Sequence, residues 1–469
     1  MDLKEFYKLK ENLEDLVIRE ININNNVIGI VCLETITSSD DINNFILKRM
    51  SILDSFNKND LKEYLFNHLP AIAIEKIDDK KSIFDKLLNG WTILLINNQV
   101  LGIETKSSLS RSVSEADYER SITGPKDSFV EHYNTNIGLI RRRIKSIDLN
   151  IETMEIGRYT KTKVGILSIK GIARENFKKV ISEKLKKINI DGIIDSGYIK
   201  NYLNEKGTLF PTIKETERPD LVSMSLLEGK IVLVVDNSPD ALILPTFFID
   251  YFHMSDDYYQ KSINVTFIRI IRLIAFIIAI FLPGYYIAIT THNYDSLPIN
   301  LLINFISQQS TVPFPSFFEG LLMIISFEIL RESDMRIPSS MGTALSILGG
   351  LVLGDAAVSA GLISPIMIIV IALSAISGLI FQSIEIINAI RYLRFIIMIL
   401  SSLFGLYGIF IGIIIILINL SSTNSFNKDY LYPYSPINLS MQLDGFIKYD
   451  QDTKHRSPIL SDNHVRGRK

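Results

Sequence analysis

The chain has 469 residues, with 49 Lys+Arg against 51 Asp+Glu, a net charge of -2 and a single cysteine, Cys32. That near-balance, with no basic stripe carrying interleaved aromatics, excludes a nucleic-acid partner, and one cysteine excludes an intrachain disulfide or a cysteine metal cluster. The average hides a break near residue 265: residues 271–290 contain Arg272 as their only charge and 395–420 contain none. A bilayer core of about 30 Å needs roughly 20 apolar helical residues, so the expected plan is a soluble domain followed by a polytopic α-helical transmembrane domain.

The N-terminus, MDLKEFYKLKENLEDLV, is too polar and acidic for a secretory signal, so the soluble half is expected on the cytoplasmic side. IGIVCLE (28–34) and WTILLINNQVLGIET (91–105) read as strands, the latter turned at Asn97-Asn98, and DINNFILKRMSILDSF (41–56) as an amphipathic helix. Cys32 falls in the first strand, as a buried structural thiol. Further on, KVGILSIKG (163–171) reads as a strand and ENFKKVISEKLKKI (175–188) as a helix. DLVSMSLLEG (220–229) is a helix closed by Gly229, and the strand KIVLVVD (230–236) follows it. This alternation predicts two small α/β or α+β lobes, 1–115 and 116–262, joined through the polar stretch 104–127. No repeat of 20–50 residues is visible.

Within 263–422, five apolar segments are expected: 268–290, 316–330, 341–362, 364–387 and 395–420. Arg269 and Arg272, Arg331 and Arg336, and Arg391 and Arg394 flank the first, second and fourth, and the positive-inside rule puts all three clusters in the cytoplasm. A fifth crossing would then leave the polar, basic tail (423–469) outside, against its lysines and arginines. Either one segment is re-entrant or 297–308 also enters the membrane. The segment 341–362 is rich in small residues, among them Gly349, Gly350 and Gly354, which suit close helix packing or a moving pore wall. Asp355 within it, and the weaker candidates Glu319, Glu328 and Glu385, are acids where a bilayer penalises charge.

TGPKDSF (123–129) lacks the spacing of a phosphate-cradling loop, and the two acids of DGIIDSG (191–197) read as turn formers. The six histidines form no HExxH or HxxxH pair. No nucleophile–base arrangement argues for an enzyme, and no cofactor is implied.

Five blocks carry a resemblance: 121–145 (SITGPKDSFVEHYNTNIGLIRRRIK), 191–199 (DGIIDSGYI), 211–239 (PTIKETERPDLVSMSLLEGKIVLVVDNSP), 255–289 and 312–365. Over residues 114–394 the chain resembles the GerA family, the A subunits of spore germination receptors. The resemblance implies a spore inner-membrane protein that works with a transporter-like B subunit and a lipoprotein C subunit. It also implies self-association into a ring and a nutrient-gated ion path. A SpoVAF-type accessory protein or scaffold is the alternative, and a secondary transporter a further one, although the unequal segments lack the symmetry of transporter halves. Arg141, Arg142 and Arg143 are expected on a solvated helix face or against an acidic face of a neighbouring subunit, with Glu217 and Arg218 as complementary interface residues. Asp256, Asp257, Tyr258 and Tyr259, between the second lobe and the first apolar segment, are the expected coupling residues. Replacing both aspartates by alanine is expected to spare protein level and block the response.

Overall fold

The computed structural model describes residues 3–23, 26–50, 61–71, 73–96, 99–107, 119, 122–205, 207–334, 354–435, 437, 445–448 and 460. In the first lobe, strands β1 (Leu16–Ile23), β2 (Asn26–Leu33), β3 (Ile74–Ile77), β4 (Trp91–Ile96) and β5 (Gln99–Glu104) form a sheet of order β1-β2-β4-β5-β3. Side chains alternate across a strand, and both faces are covered. Val31, Leu33, Ile93 and Leu95 pack with Phe6 of α1 (Leu3–Lys10) and with Ile83 and Leu87. Ile28, Ile30, Leu94 and Ile96 meet Ile46, Met50 and Leu65 on the other side. Two-sided burial explains why β4, WTILLI, is buried throughout and apolar at every position but Thr92, not alternating.

The second lobe repeats this plan. Strands β6 (Leu149–Ile156), β7 (Thr162–Ile169), β8 (Lys214–Thr216), β9 (Ile231–Val235) and β10 (Ala241–Leu244) take the order β6-β7-β9-β10-β8. Position for position, this is the topology of the first sheet. Every pairing among these strands is antiparallel. The head is therefore mixed α and β with segregated helices, the α+β form of the expected class. Helices α2 (Tyr133–Arg143) and α3 (Pro219–Glu228) cover one face, and α4 (Glu175–Lys186) and α5 (Ser196–Leu203) cover the other. Gly229 ends α3 at φ 99°, a conformation that favours glycine.

Among the described residues, six helices of eleven or more residues follow: α6 (Ser262–Thr291), α7 (Ile299–Gln309), α8 (Ser316–Asp334), α9 (Pro365–Gly378), α10 (Ile384–Phe404) and α11 (Leu406–Ser422). Among the described residues α6 and α10 are long and apolar enough to cross a membrane, and less than half of each is buried. Helices α9 and α11 are apolar but shorter. The expected segment 364–387 stops at Gly378, and a new helix starts at Ile384. The expected segment 395–420 is not one helix but the end of α10 and all of α11, reversed at Gly405.

That reversal sets the direction of the chain. The start of α10 lies by the second lobe, where Glu385 pairs with Lys200 at 3.1 Å. Its end lies by the end of α6, where His292 Nε2 and Ser402 O are 2.8 Å apart. Helix α11 starts there, with Leu406 N–H donating to Asn293 Oδ1 at 3.0 Å, and returns to the second lobe, where Asn424 N–H reaches Glu205 Oε2 at 2.9 Å. Both α6 and the tail thus meet the lobe at the same end. Gly405 turns at φ 62°, ψ −139° against His292 and Asn293. Gly405→Ala is expected to cost about 1–3 kcal/mol, read as a lowered melting temperature of the detergent-solubilised protein; an unchanged melt would show that the turn tolerates a side chain.

A proline inside α6 explains a buried arginine. Pro283 has no N–H, so the carbonyl of Ala279 loses its helical partner. Arg394 Nε donates to that oxygen at 2.8 Å and Ser374 Oγ at 2.9 Å, while Arg394 NH2 reaches Ser374 O at 3.3 Å. Arg394, expected as a water-facing orientation marker, is instead a buried tie between α6, α9 and α10.

Candidate coupling site

The chain leaves the second lobe through two short 3-10 turns, Phe248–Phe252 and Ser255–Tyr258, before α6 begins at Ser262. Asp257 sits in the second turn and is 3 % exposed. Arg272 binds both of its oxygens, NH1 to Oδ2 at 2.8 Å and NH2 to Oδ1 at 3.0 Å, and Arg269 Nε donates to Oδ2 at 3.1 Å. The two arginines stand three residues apart on α6, the spacing that puts side chains on one helix face. Backbone oxygens take further donors: Arg272 NH1 reaches Phe252 O at 2.7 Å and Arg269 NH1 reaches Gly445 O at 2.6 Å. One carboxylate therefore holds two buried guanidinium groups, a geometry that is tight only while all partners are present.

The C-terminal tail closes the site. Gly445 O also accepts from His253 Nε2 at 2.9 Å, and Lys448 donates through Nζ to the carbonyls of Asp257 and Gln260. Burial, with Arg269 nearby, holds His253 well below the ordinary imidazole range, so the ring donates as a neutral group. Aromatic rings fill the space beneath: Phe252 lies 5.6 Å from Phe276 of α6, 5.6 Å from Phe381 and 5.3 Å from Phe446. The apolar core of the second sheet and that of α6, α10 and α11 form one cluster.

The neighbouring coupling candidates face the other way, into the head. Asp256 accepts from Thr123 N–H at 3.1 Å, Tyr258 OH donates to Glu228 Oε1 at 3.1 Å, and Tyr259 OH donates to Asp220 Oδ2 at 2.9 Å. Asp220 is gripped by Arg218, through Nε at 3.1 Å and NH2 at 2.7 Å. Gly124, at φ 102°, brings its backbone against the Tyr259 ring, where an added Cβ would lie 2.5 Å from Cε2.

Several interface candidates are placed differently from expectation. Arg141 is fully buried and pairs with Asp15 of the first lobe, NH2 to Oδ1 at 2.7 Å and Nε to Oδ2 at 3.2 Å. It cannot face a neighbouring subunit, because it already joins the two lobes of one chain. Arg218 is likewise enclosed with Asp220, and Arg143 pairs with Asp127 at 2.6 Å. Glu217 accepts Glu119 N–H at 2.8 Å within the same lobe. Of the group, Arg142 is the one that is exposed.

Among the pore candidates, Gly349 and Gly350 lie outside the described residues. Gly354 lies in a helical stretch whose described part is 354–359, and a Cβ added to it would meet nothing within 4 Å. Asp355 is exposed on that helix. It precedes by six residues Gly361, whose added Cβ would lie 3.4 Å from Thr311 O at the end remote from the lobes. Six residues of helix span about 9 Å, so Asp355 stands nearer that end than a mid-membrane position. Glu319 is 1 % exposed, and its Oε2 accepts Ser364 N–H at 2.8 Å at the start of α9, where a helix N-terminus favours negative charge. Glu328 pairs with Arg391 at 2.9 Å, bridging α8 and α10.

Sequence reasoning missed Lys200–Glu385, Gly445, Lys448 and the Arg394 tie. Only the last had a local signal, a proline within an apolar helical run.

A two-lobed head fixed by buried ion pairs to a bundle of apolar helices defines a protein that joins a polar domain rigidly to an apolar helical one. The family described as Bacillus/Clostridium GerA spore germination protein matches residues 4–460, and the chain belongs to that family. It is 37 % identical over 372 residues to spore germination protein KA of Bacillus subtilis strain 168, covering 77 % of this chain and 68 % of that one. It is 34 % identical over 385 residues to the membrane protein YfkQ of the same organism, covering 79 % and 75 %. Among solved structures, the N-terminal domain of the A subunit of the Bacillus megaterium spore germinant receptor GerK3 matches at 30 % identity and a TM-score of 0.39, covering 52 % of this chain and 94 % of that one.

Proposed function

We propose that the protein is the A subunit of a nutrient receptor in the inner membrane of a spore, and that it acts without catalysing a reaction. Its helices cross the bilayer several times with the two lobes on the spore-core side, and copies assemble in a ring around an ion path that opens when nutrient is sensed. A transporter-like B subunit and a lipoprotein C subunit complete the receptor. The observation that carries this reading is the junction at Asp257. A buried carboxylate, two arginines and a shared aromatic core tie the second lobe to α6, so in this reading a movement of the head becomes a movement of the helices. The orientation draws support from the return of the chain, which brings Asn424 and Lys448 to the lobe side, as the positive-inside rule asks of a basic residue there.

In this reading Asp355 lies at the mouth of the path, where a carboxylate raises the local cation concentration. Asp355→Asn keeps the size and removes the charge. In planar bilayers it is expected to reduce the cation preference of the purified complex, read as a shift in reversal potential under a salt gradient, without loss of assembly. An unchanged reversal potential would place Asp355 away from the ion path.

A further inference from the structure

From residue 296 to residue 318 the chain carries no charged side chain; Asp295 precedes the stretch and Glu319 follows it. Helix α7 lies at its centre, against the last turns of α6. The Phe305 ring is 5.7 Å from that of Tyr286, and Gln309 donates to Ser316 Oγ, which is 3.1 Å from Thr290 Oγ1. The fourteen residues of α6 from Arg272 to Tyr286 put this contact about 21 Å from the coupling site.

None of the residues of α7 is buried, and its two open flanks differ. Ile299, Ile303 and Ile306, at i, i+4 and i+7, make an apolar flank with exposures of 72 %, 60 % and 50 %. Asn300, Asn304 and Ser307 are exposed on another flank. At its C-terminus the helix satisfies its own carbonyls: Ser310 N–H reaches Ile306 O at 2.9 Å, Ser310 Oγ reaches Ser307 O at 2.8 Å and Thr311 Oγ1 reaches Gln308 O at 2.7 Å. That end loses little by leaving bulk water. Around it, at the same end of the bundle, Tyr285, Tyr294 and Tyr407 expose their rings, and tyrosine collects where a bilayer meets water.

We infer that α7 is an interfacial helix, lying in the headgroup–acyl boundary of the leaflet remote from the lobes. Ile299, Ile303 and Ile306 enter the acyl chains, and Asn300, Asn304 and Ser307 face the headgroups and water. The inference rests on the membrane reading of the helices proposed above. A lipid surface fits better than a protein face because α6, α10 and α11 also expose apolar side chains at that end of the bundle, in Tyr285, Leu403, Phe404 and Tyr407. With no charge on α7, its hold on the bilayer does not depend on anionic lipid or on salt.

The test uses the full chain in phosphatidylcholine vesicles whose acyl chains carry bromine, a quencher of tryptophan, at a shallow or a deep position. The chain has one tryptophan, Trp91, buried in the first lobe, and the parent protein supplies the background. Ile303→Trp, or Ile299→Trp should the first fail to fold, reports on α7; Ile414→Trp, at an exposed position midway along α11, reports on the spanning helices. The tryptophan at 303 is expected to be quenched about twofold more by shallow than by deep bromine, equally at low and high salt, and the one at 414 more by deep bromine. If 414 is quenched by deep bromine and 303 by neither, protein covers the flank and the inference fails alone. Stronger deep than shallow quenching at 303 would make α7 part of the hydrocarbon core and also overturn it. If 414 is not quenched at all, the membrane reading fails and takes this one with it.

Discussion

Asp257→Ala is expected to lower the unfolding free energy of the detergent-solubilised protein by about 3–5 kcal/mol, because it leaves two arginines buried with no counter-charge. Arg269 and Arg272 are 3 % and 5 % exposed, so neither can turn to solvent without opening the contact between lobe and helices. The sequence alone suggests that alanine at both 256 and 257 would spare protein level. The structure separates the two residues. Asp256 is partly exposed and binds the backbone of Thr123, so Asp256→Ala should cost no more than about 1 kcal/mol. Thermal unfolding of the two single variants measures the contrast, and equal, small shifts would show that the arginines find other partners.

Arg141→Ala is expected to be nearly as severe, about 3–5 kcal/mol, and its damage should fall between the lobes. Asp15 would keep only the Thr35 hydroxyl, at 3.0 Å, for a carboxylate buried beneath both sheets. The backbone carbonyls of Ser146 and Leu149 would lose the guanidinium as well. Hydrogen exchange should therefore accelerate in β1 and around residues 146–151 before the sheet cores respond. A double variant, Asp15→Leu with Arg141→Met, should recover much of the loss, since an apolar pair leaves no buried charge behind. If it is no more stable than either single variant, the site requires the ion pair itself.

The parts legible in the sequence were those set by local pattern. β2, β4, β7 and β9 are short apolar runs between turn residues, and α3 is bracketed by Pro219 and Gly229, so residue order alone locates them. Pairing is a long-range property. The shared strand order of the two lobes spans more than a hundred residues and leaves no short period to detect. Hydropathy also overlooks a reversal made by a single glycine, and so 395–420 reads as one segment although Gly405 folds it into a hairpin. Charge misled in two directions. Arg141 reads as solvated or facing a neighbouring subunit and Arg218 as an interface residue, but each has a carboxylate brought by distant or local chain, Asp15 or Asp220. Arg394 reads as a marker of the membrane surface, but Pro283 leaves a carbonyl that it satisfies. The residues 255–259 stand out in the sequence only as a polar link before an apolar run; their division, Asp257 toward the helices and Asp256, Tyr258 and Tyr259 toward the head, depends on the turn that carries them.

The central claim is that nutrient sensed by the receptor opens an ion path through helices moved by the head. Current across a planar bilayer holding the purified receptor, with its B and C subunits, measures this directly. Nutrient is expected to evoke discrete channel openings that are absent without it, and Asp257→Asn, in whatever fraction assembles, is expected to bind partners but open less often. A wild-type complex that is fully assembled, exposed to nutrient and yet passes no current would contradict the account.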